Sequence, residues 1–361
     1  MTKCNVLILG KSGCGKSSLV NYLFDRVVSK VGTGTPVTPC GIYPQPPITR
    51  HGLEIVIHDT WGMEADKATE WRSMIEKDSL QREASGNLSN WFHSILYCIS
   101  AARIEPFEIE SVIRPLVSRG YTVIFILTKS DITSDSEKKA LKTILQTEFP
   151  QHGGFVEICS TSQKLRNGKI TLAFGSNILI KTIISGLRNN LLNMIKRQYI
   201  LQCQNKSNNF KYELIGLYNR HAGFFTLNSY CFVLNIIANK ANTNYKKMSN
   251  DVESWLVVAA KEAKLLFRTV RLDFASEEYI DSLVCPNSSS VAEDIRFGLA
   301  ENYAIMILNI VPGLNVLHAV FGKELHRDEL ERHLNNIVFN FMKQSNASLE
   351  LIHKYLSDVM Q

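Results

Sequence analysis

Three features that would assign the protein to other classes are missing from the sequence. Its eight cysteines stand far apart, with no C-x-x-C pair and no histidine at zinc-finger spacing, which argues against a disulfide scaffold or a zinc module. The formal charge of +6 is too small a surplus to indicate nucleic acid, so no sequence-specific nucleic-acid partner is expected. The amino terminus, "MTKCNVLILG", predicts a first strand and no signal peptide. We therefore expect a reduced, cytoplasmic protein.

The composition is that of a folded protein. With 361 residues, 45% of them hydrophobic and 20% charged, the chain is long enough for two domains. Short β-rich runs alternate with helical stretches in the first half, at 5–10, 53–58, 94–100, 122–127 and 155–159. This alternation predicts an α/β fold, a mostly parallel sheet with flanking helices. The proline-containing run at 41–49 predicts an edge strand that pairs with 53–58.

The second half has a different pattern. From about residue 177, long helical patterns dominate, at 178–200, 253–272 and 328–344. The polar stretches at 204–209, 239–251 and 285–290 predict connections between helices. The sequence thus predicts an α/β domain at 1–190 and an all-α domain at 191–361.

The first motif is "GKSGCGKS", residues 10–17, which fits the phosphate-binding pattern G-x-x-x-x-G-K-[ST]. An apolar strand leads into it and a helical pattern follows, as in a P-loop NTPase. Loop N–H groups and the positive end of the helix would surround phosphates, Lys16 would reach the β- and γ-phosphates, and Ser17 would bind Mg²⁺. The predicted nucleotide-binding residues here are Gly10, Ser12, Gly13, Cys14, Gly15, Lys16, Ser17 and Ser18.

The second motif is "DTWG", which begins 42 residues after Ser17 and ends a predicted strand. Asp59 would supply a carboxylate near Mg²⁺, and the N–H of Gly62 would approach the γ-phosphate. The intervening loop "KVGTGTPVTPCGIY" offers a further metal ligand, with Thr38 as the first choice and Thr35 as the second. The predicted metal ligands are therefore Ser17, Thr38 and Asp59, and Lys16, Thr38 and Gly62 are the predicted catalytic residues.

The third motif, "TKSD" at 128–131, selects the base. Asp131 can accept hydrogen bonds from guanine N1–H and the 2-amino group, whereas adenine has no such pair of donors, so GTP and GDP are the expected nucleotides. Lys129 can lie over the purine, and Thr128 can tie this loop to the phosphate loop. After the last β-run, "CSTS" places Ser160 and Thr161 near the base, with the Thr161 N–H facing guanine O6.

The ordered set "GKSGCGKS", "PVT", "DTWG", "TKSD" and "STS" resembles a translation-factor-related P-loop GTPase over residues 4 to 187. The segments "GKSGCGKSSLVNYLF", "VGTGTPVT" and "ILYCISAAR" are similar in sequence to the septin, Toc and immunity-associated branch and to bacterial 50S ribosome-binding GTPases. The resemblance implies the fold and GTP hydrolysis. The sequence departs from these relatives at Trp61, where proline is usual, and at Gly13, where relatives that use K⁺ carry asparagine, so K⁺ dependence is not implied.

Met63 stands where familiar small GTPases carry the glutamine that orients the attacking water. Three alternatives could orient the water in place of the glutamine. They are backbone groups together with Thr38, a side chain from the long segment 64–93, or a second protomer. Arg72 and Arg82 are candidates for an arginine finger, although such residues more often only solvate a helix face. His93 is expected to be structural. Without completion of the site, hydrolysis is expected to be slow.

The most apolar stretch, 303–322, is interrupted by asparagine, proline, glycine and histidine, so we favour a buried helix–turn–helix. Reversible membrane contact and a true membrane span are the alternatives. The helical half is expected to read out the nucleotide state against a protein target or a membrane surface, with a homodimer through the GTP-binding domain as a further partner. The competing hypothesis is a GTP-dependent assembly module with little or no hydrolysis, and membrane remodelling is a weaker third.

Overall fold

The computed structural model describes residues 2–28, 41–50, 52–64, 67–164, 170–221, 227–274 and 323–358. These residues form two compact units, one within 2–194 and 262–274 and the other within 195–261 and 323–358. Compactness alone does not establish that a unit folds independently. The division into domains at 1–190 and 191–361 therefore stays a prediction.

The first unit is built around a seven-stranded sheet of order β2-β4-β1-β5-β6-β7, with β3 also paired to β4. Strands β4, β1, β5, β6 and β7 are parallel, whereas the short β2 and β3 run antiparallel to β4. This confirms the predicted mostly parallel α/β sheet. The bounds are β1 Thr2–Gly10, β2 Ile42–Pro44, β3 Ile48–Arg50, β4 Leu53–Thr60, β5 Phe92–Ser100, β6 Val123–Thr128 and β7 Phe155–Ile158.

The central strands are continuous apolar runs because helices cover both faces of the sheet. All six residues of β6 are buried, and eight of the nine residues of β5 are buried. The flanking helices are α1 Lys16–Phe24, α2 Ala68–Ala84, α3 Pro106–Glu108, α4 Arg114–Ser118 and α5 Asp135–Glu148. A π-helical turn, Ile109–Ile113, joins α3 to α4, and a 3₁₀ turn, Leu88–Asn90, precedes β5. A two-residue pair, β8 Gln163–Lys164 and β9 Ile170–Thr171, follows β7.

Parallel order brings the carboxyl ends of the strands to one edge of the sheet. β1 ends at Gly10, β4 at Thr60 and β6 at Thr128, so the three predicted motifs leave the sheet on the same side. Ligands bind at this edge in open α/β sheets. The topology therefore assembles one site from segments separated by more than a hundred residues.

The remaining helices are α6 Ser176–His221, α7 Leu227–Phe274 and α8 Lys323–Asp358. Two predicted connections were wrong, since 204–209 lies inside α6 and 239–251 lies inside α7. Both polar stretches carry a buried stripe at helical spacing that outweighs their overall polarity. In α6 the stripe is Cys203, Ser207, Phe210 and Leu214, and in α7 it is Ala241, Tyr245, Met248 and Val252.

Aromatic contacts form the core of the second unit. Tyr199 stacks on Trp255 with ring centroids 6.4 Å apart, and Tyr245 contacts Phe210 and Phe341 edge to face at 6.3 and 6.0 Å. Such pairs add about 0.5–1.5 kcal/mol each beyond the burial of their surface. No helix within the described ranges is long and apolar enough to cross a membrane. The 303–322 stretch and its proposed helix–turn–helix lie outside those ranges.

Two histidines are buried in the sheet of the first unit. His93 Nδ1 accepts the Asn5 N–H at 2.9 Å, and His58 Nε2 lies 3.3 Å from Asn5 Oδ1. Burial lowers the pKa of each imidazole to about 4, and the charge of Arg82 adds to this effect at His58. The prediction that His93 is structural agrees with these contacts.

These histidines should make the protein acid-sensitive. The folded pKa values lie below the ordinary value of 6.5, so the unfolded chain binds protons that the folded protein excludes. The free energy of unfolding should therefore keep its full value above pH 6.5. It should fall between pH 6.5 and 4, by up to about 1.4 kcal/mol per pH unit for each histidine.

Denaturant titrations at pH 7.5, 6 and 5 measure the free energy of unfolding at each pH. His93→Gln should make the pH dependence shallower, whereas His221→Gln, at an exposed position, should not; equal slopes would contradict the assignment.

Candidate functional site

The phosphate loop connects β1 to α1, and its backbone fits an anion. Gly15 precedes the helix in a left-handed conformation, with φ of 94°, and no side chain caps the first helical N–H groups. The first turn of α1 contains no acidic residue. Uncapped N–H groups at a positive helix end bind phosphate well. At Gly13, with φ of 73°, an added Cβ would meet nothing within 4 Å, so the loop is open at this point.

Lys16 is the cation of the loop and is only 5% exposed. Its Nζ donates to the carbonyl oxygens of Gly10 and Lys11 at 2.9 and 2.8 Å. The loop thus curls around the ammonium group and holds it among its own carbonyls. This is the position predicted for the lysine that contacts the phosphates.

The predicted metal ligands that the structure describes lie together. Ser17 Oγ donates to Asp59 Oδ2 at 3.3 Å, and Asp59 is fully buried at the end of β4. A hydroxyl and a carboxylate beside the phosphate loop are the oxygen ligands that Mg²⁺ prefers, so these residues fit the ion. In the described part of the chain, no group of three or more His, Cys, Asp or Glu residues could hold a metal ion. Thr38 and Thr35 lie outside the described residues.

The D-x-x-G turn is hydrogen-bonded directly to the phosphate loop. Ser12 N–H donates to Met63 O at 3.0 Å, and Met63 N–H donates to Gly10 O at 3.2 Å. Gly62 permits this approach because a Cβ at that position would lie 2.4 Å from the Ser12 Cα. The Met63 side chain is 2% exposed, so at this residue the side chain is buried and both backbone polar groups are engaged.

The same turn is joined to helix α2. Trp71 Nε1 donates to the Trp61 carbonyl at 2.9 Å, and both indoles are buried. Farther along α2, Glu83 accepts hydrogen bonds from Arg119 at 3.0 Å and from Tyr121 at 2.5 Å. A displacement of the turn would therefore be transmitted to α2 and to the segment that leads into β6.

The base-recognition loop is tied to the phosphate loop as predicted for Thr128. Its Oγ1 donates to the Cys14 carbonyl at 2.6 Å, and Thr128 is 3% exposed. Lys129 adopts φ of 55°, and its Nζ lies 3.4 Å from the Gly13 carbonyl oxygen. The loop is closed by the Ser130 N–H, which donates to Ile158 O at 3.2 Å. The phosphate loop and the loop that carries Asp131 are therefore bonded to each other.

Asp131 has the feature expected of a base-recognition carboxylate. Its Oδ2 is buried and has no hydrogen-bond partner among the described residues. A buried acceptor without a donor is costly, so a bound purine that donates two hydrogen bonds would relieve that cost. Burial, with added contributions from the Asp131 charge and from a hydrogen bond to its carboxylate, raises the pKa of the Cys159 thiol. Ser160 and Thr161 follow Cys159, and Thr161 O accepts a hydrogen bond from the Cys159 thiol at 3.2 Å.

Lys11, the second residue of the phosphate loop, is held by a cluster of side chains that was not predicted from the sequence. Lys11 Nζ pairs with Glu105 at 2.6 Å and with Glu108 at 2.9 Å, and Tyr97 donates to Glu108 at 2.7 Å. Although burial opposes it, bonding to both carboxylates raises the pKa of Lys11 above its ordinary value. The one sequence signal was the S/T/E-x-x-E spacing of a helix start at Glu105 and Glu108, where a capping box forms.

The two arginine-finger candidates differ in their surroundings. Arg82 is held at the end of α2 by Asp78 at 2.6 Å and Asn90 O at 3.2 Å, and it lies 4.5 Å over the Phe92 ring. These contacts favour a structural role. Arg72 is exposed and lines a small cleft between α2 and α4, next to Leu116 and Arg119. The structure places neither of them in contact with the phosphate loop.

Gly62→Ala tests the contact between the turn and the loop. The added methyl group would collide with the Ser12 backbone, which cannot yield as a flexible side chain would. We expect loss of the Met63 hydrogen bonds and a weaker response of tryptophan fluorescence to a GTP analogue, because Trp61 adjoins the turn. Gly86→Ala, at a left-handed position after α2, is a control for general glycine effects. An unchanged response in Gly62→Ala would refute this role.

Comparison with known proteins agrees with the prediction of a P-loop GTPase domain. The family model described as 50S ribosome-binding GTPase matches residues 5–129. The chain is 26% identical over 213 residues to "tRNA modification GTPase mss1, mitochondrial" of Schizosaccharomyces pombe, with 55% of this chain and 41% of the relative covered. It is 24% identical over 171 residues to "Cell division control protein 10" of Candida albicans, with 41% and 47% covered. The chain thus spans less than half the length of these curated relatives.

Solved structures with a similar arrangement include a dimerization-deficient mutant of Toc33 from Arabidopsis thaliana, at 19% identity and a TM-score of 0.37, covering 52% of this chain and 86% of Toc33. A septin GTPase domain from Chlamydomonas reinhardtii gives 13% identity and a TM-score of 0.40, covering 52% and 94%. The assignment rests on the family match and on the geometry of the site. Residues 5–129 are therefore similar in sequence to the family described as 50S ribosome-binding GTPase.

Proposed function

We propose that this protein is a Mg²⁺-dependent GTP switch that hydrolyses GTP slowly until a second protomer or a partner completes its site. One observation carries the proposal: the hydrogen bond from Thr128 to Cys14 joins two loops. One loop contains Asp131, whose buried Oδ2 has no hydrogen-bond partner among the described residues, and the other has Lys16 inside it. A guanine-recognising carboxylate and a phosphate cradle are thereby held at a fixed spacing. Ser17 and Asp59 would hold Mg²⁺, which when bound neutralises charge on the β- and γ-phosphates.

Slow hydrolysis is proposed because Met63 offers nothing that could orient a water molecule. Its thioether is at most a weak acceptor and is buried, while its N–H and carbonyl are bonded to the phosphate loop. A γ-phosphate that accepts hydrogen bonds from the loop would compete with the Met63 carbonyl for the Ser12 N–H. GTP is therefore expected to displace the turn and, through the bond between Trp61 and Trp71, to shift α2. Turnover without a partner should be on the order of 10⁻⁴ to 10⁻² s⁻¹.

The second candidate is a GTP-dependent assembly module in which hydrolysis is vestigial, and the engaged, buried Met63 favours it. Phosphate release should be measured with excess GTP and Mg²⁺ over a hundredfold range of protein concentration. If the rate per molecule rises with concentration, a second protomer completes the site. If no phosphate is released at any concentration while GTP still binds, the assembly module is supported. The proposal that the protein hydrolyses GTP is then wrong.

The helical unit is proposed as the readout device, acting on a protein target or a membrane surface. Free cysteines, among them Cys4 and Cys203, support a reducing compartment such as the cytoplasm. Co-sedimentation with anionic liposomes, with and without GTP, separates the two kinds of target. Absence of the protein from the pellet in both conditions would exclude a membrane surface as the target and membrane remodelling as the function.

A further inference from the structure

Two cysteine side chains lie together directly behind the phosphate loop. Gly10 is the cross-strand partner of Cys98, and a Cβ built on Gly10 would lie 2.8 Å from Cys14 Sγ and 3.3 Å from Cys98 Cβ. Both thiols are buried and free. Cys14 belongs to the loop that would hold the phosphates, whereas Cys98 belongs to the core strand β5. A bond between them would therefore join the binding loop to a central strand of the sheet.

The surroundings shift the pKa values of these two thiols in opposite directions. Lys16 Nζ lies 3.9 Å from Cys14 Sγ. The hydrogen bond from Cys98, together with the Lys16 charge, lowers the pKa of Cys14 despite its burial, and the same contact raises the pKa of Cys98. Cys4, a buried cysteine of β1 without such neighbours, has its pKa raised to about 12 by burial. A thiolate beside a protonated thiol is the arrangement of an attacking and a resolving cysteine.

We propose that Cys14 and Cys98 form a modification site for hydroperoxides, and that the resulting disulfide suppresses nucleotide binding. The neighbouring Gly13 faces open space, but Cys14 itself is only 4% exposed, so the oxidant must be as small as a hydroperoxide. This inference rests on the proposed nucleotide site, since nucleotide binding is its functional readout.

The chemistry balances with hydrogen peroxide as the oxidant. The Cys14 thiolate attacks one peroxide oxygen, the O–O bond breaks, and the departing hydroxide takes a proton to become water, which leaves a sulfenic acid. The Cys98 sulfur then attacks the Cys14 sulfur, the S–O bond breaks, and the expelled hydroxide takes the Cys98 proton. Two thiols and one peroxide thus give one disulfide and two water molecules, and a dithiol reductant reverses the change.

The disulfide would distort the part of the loop that must fit the phosphates. Its sulfurs must approach to about 2.05 Å, well inside the separation of hydrogen-bonded thiols, so Cys14 is drawn toward β5. The carbonyl of Cys14 is the anchor for Thr128, so the link to the base-recognition loop moves with it. We expect the affinity for nucleotide to fall at least about tenfold.

The test uses the full chain, hydrogen peroxide and a fluorescent GTP analogue. Peptide mass spectrometry should find a Cys14–Cys98 link with the loss of two hydrogens, the analogue should bind at least about tenfold more weakly, and dithiothreitol should restore binding. Saturating GTP before peroxide should slow formation of the link. A quantitative link with unchanged affinity, or no link at all, would overturn the proposal.

Matched variants separate this inference from the proposed function. Reduced Cys98→Ser, whose hydroxyl can still donate to Cys14, should bind the analogue as the unaltered protein does, but without its resolving thiol Cys14 should oxidise further, so that dithiothreitol no longer restores binding. Cys98→Ala lacks that donor and should instead slow the oxidation of Cys14, and Cys4→Ala should behave like the unaltered protein. If Cys98→Ser recovers as fully as the unaltered protein, the pair has no role. If the reduced, unaltered protein does not bind the analogue, the proposed function itself fails, whereas binding without a link removes only the redox site.

Discussion

Replacement of Lys16 by alanine should lower the affinity for GTP by about 30- to 150-fold, which corresponds to about 2–3 kcal/mol. Lys16 Nζ is buried inside the phosphate loop, where its interaction with a phosphate would not be screened by water. Alanine leaves the loop N–H groups in place but removes the cation that faces the β- and γ-phosphates. A titration with a fluorescent GTP analogue at constant ionic strength measures the loss.

A matched control is Lys139→Ala, because Lys139 is exposed on α5 and its replacement removes the same charge from the protein. Alanine at position 16 also leaves the carbonyls of Gly10 and Lys11 without their donor. Thermal unfolding without nucleotide should therefore be compared, so that loss of folding is not mistaken for loss of binding. A folded Lys16→Ala variant that binds GTP within threefold of the unaltered protein would contradict the assignment.

Asp131→Asn should change which base the protein prefers. Guanine offers two donors, N1–H and the 2-amino group, to a carboxylate, whereas an asparagine amide would set its own NH₂ against one of them. Because an unpaired buried polar group is penalised strongly, affinity for GTP should fall at least about 100-fold. Xanthosine triphosphate has an acceptor at position 2 and should then bind more tightly than GTP.

Competition between the two nucleotides measures this preference directly. Asp135→Asn is the control, since that carboxylate lies four residues farther along, is 97% exposed and pairs with Lys138 at the start of α5. Its replacement should leave the preference for GTP unchanged. An Asp131→Asn variant that still prefers GTP over xanthosine triphosphate would show that another group reads the base.

Motif spacing predicted much of the site, and Thr128 illustrates why. A strand that ends at Thr128 and another that ends at Gly10 must emerge on the same edge of a parallel sheet, so their proximity follows from the topology. The antiparallel pairing of the proline-containing edge segment with β4 followed from the same kind of reasoning. The long helices were harder to delimit, because a buried residue every three or four positions sustains α6 through a stretch that is polar in composition.

Other features had little or no signal in the sequence. The pairing of Met63 with the phosphate loop depends on how closely Gly62 passes Ser12, a distance that local pattern does not encode. The cluster of Lys11, Glu105, Glu108 and Tyr97 joins three segments, and each of its residues is ordinary in its own surroundings. The contact of Cys14 with Cys98 arises only because β1 and β5 are neighbours in register.

By itself, the sequence determined the α/β class and predicted the phosphate loop, the Ser17 and Asp59 pair of candidate metal ligands and Asp131 as the guanine-selecting residue, because each depends on residue type and on order along the chain. The tertiary structure alone decided that the Met63 backbone is engaged, that Arg82 is held by Asp78 and Asn90, and that two thiols meet behind the loop. The Met63 and thiol contacts depend on differences of a few tenths of an ångström in the distances between segments far apart in sequence. Packing of the whole sheet and its helices sets such distances.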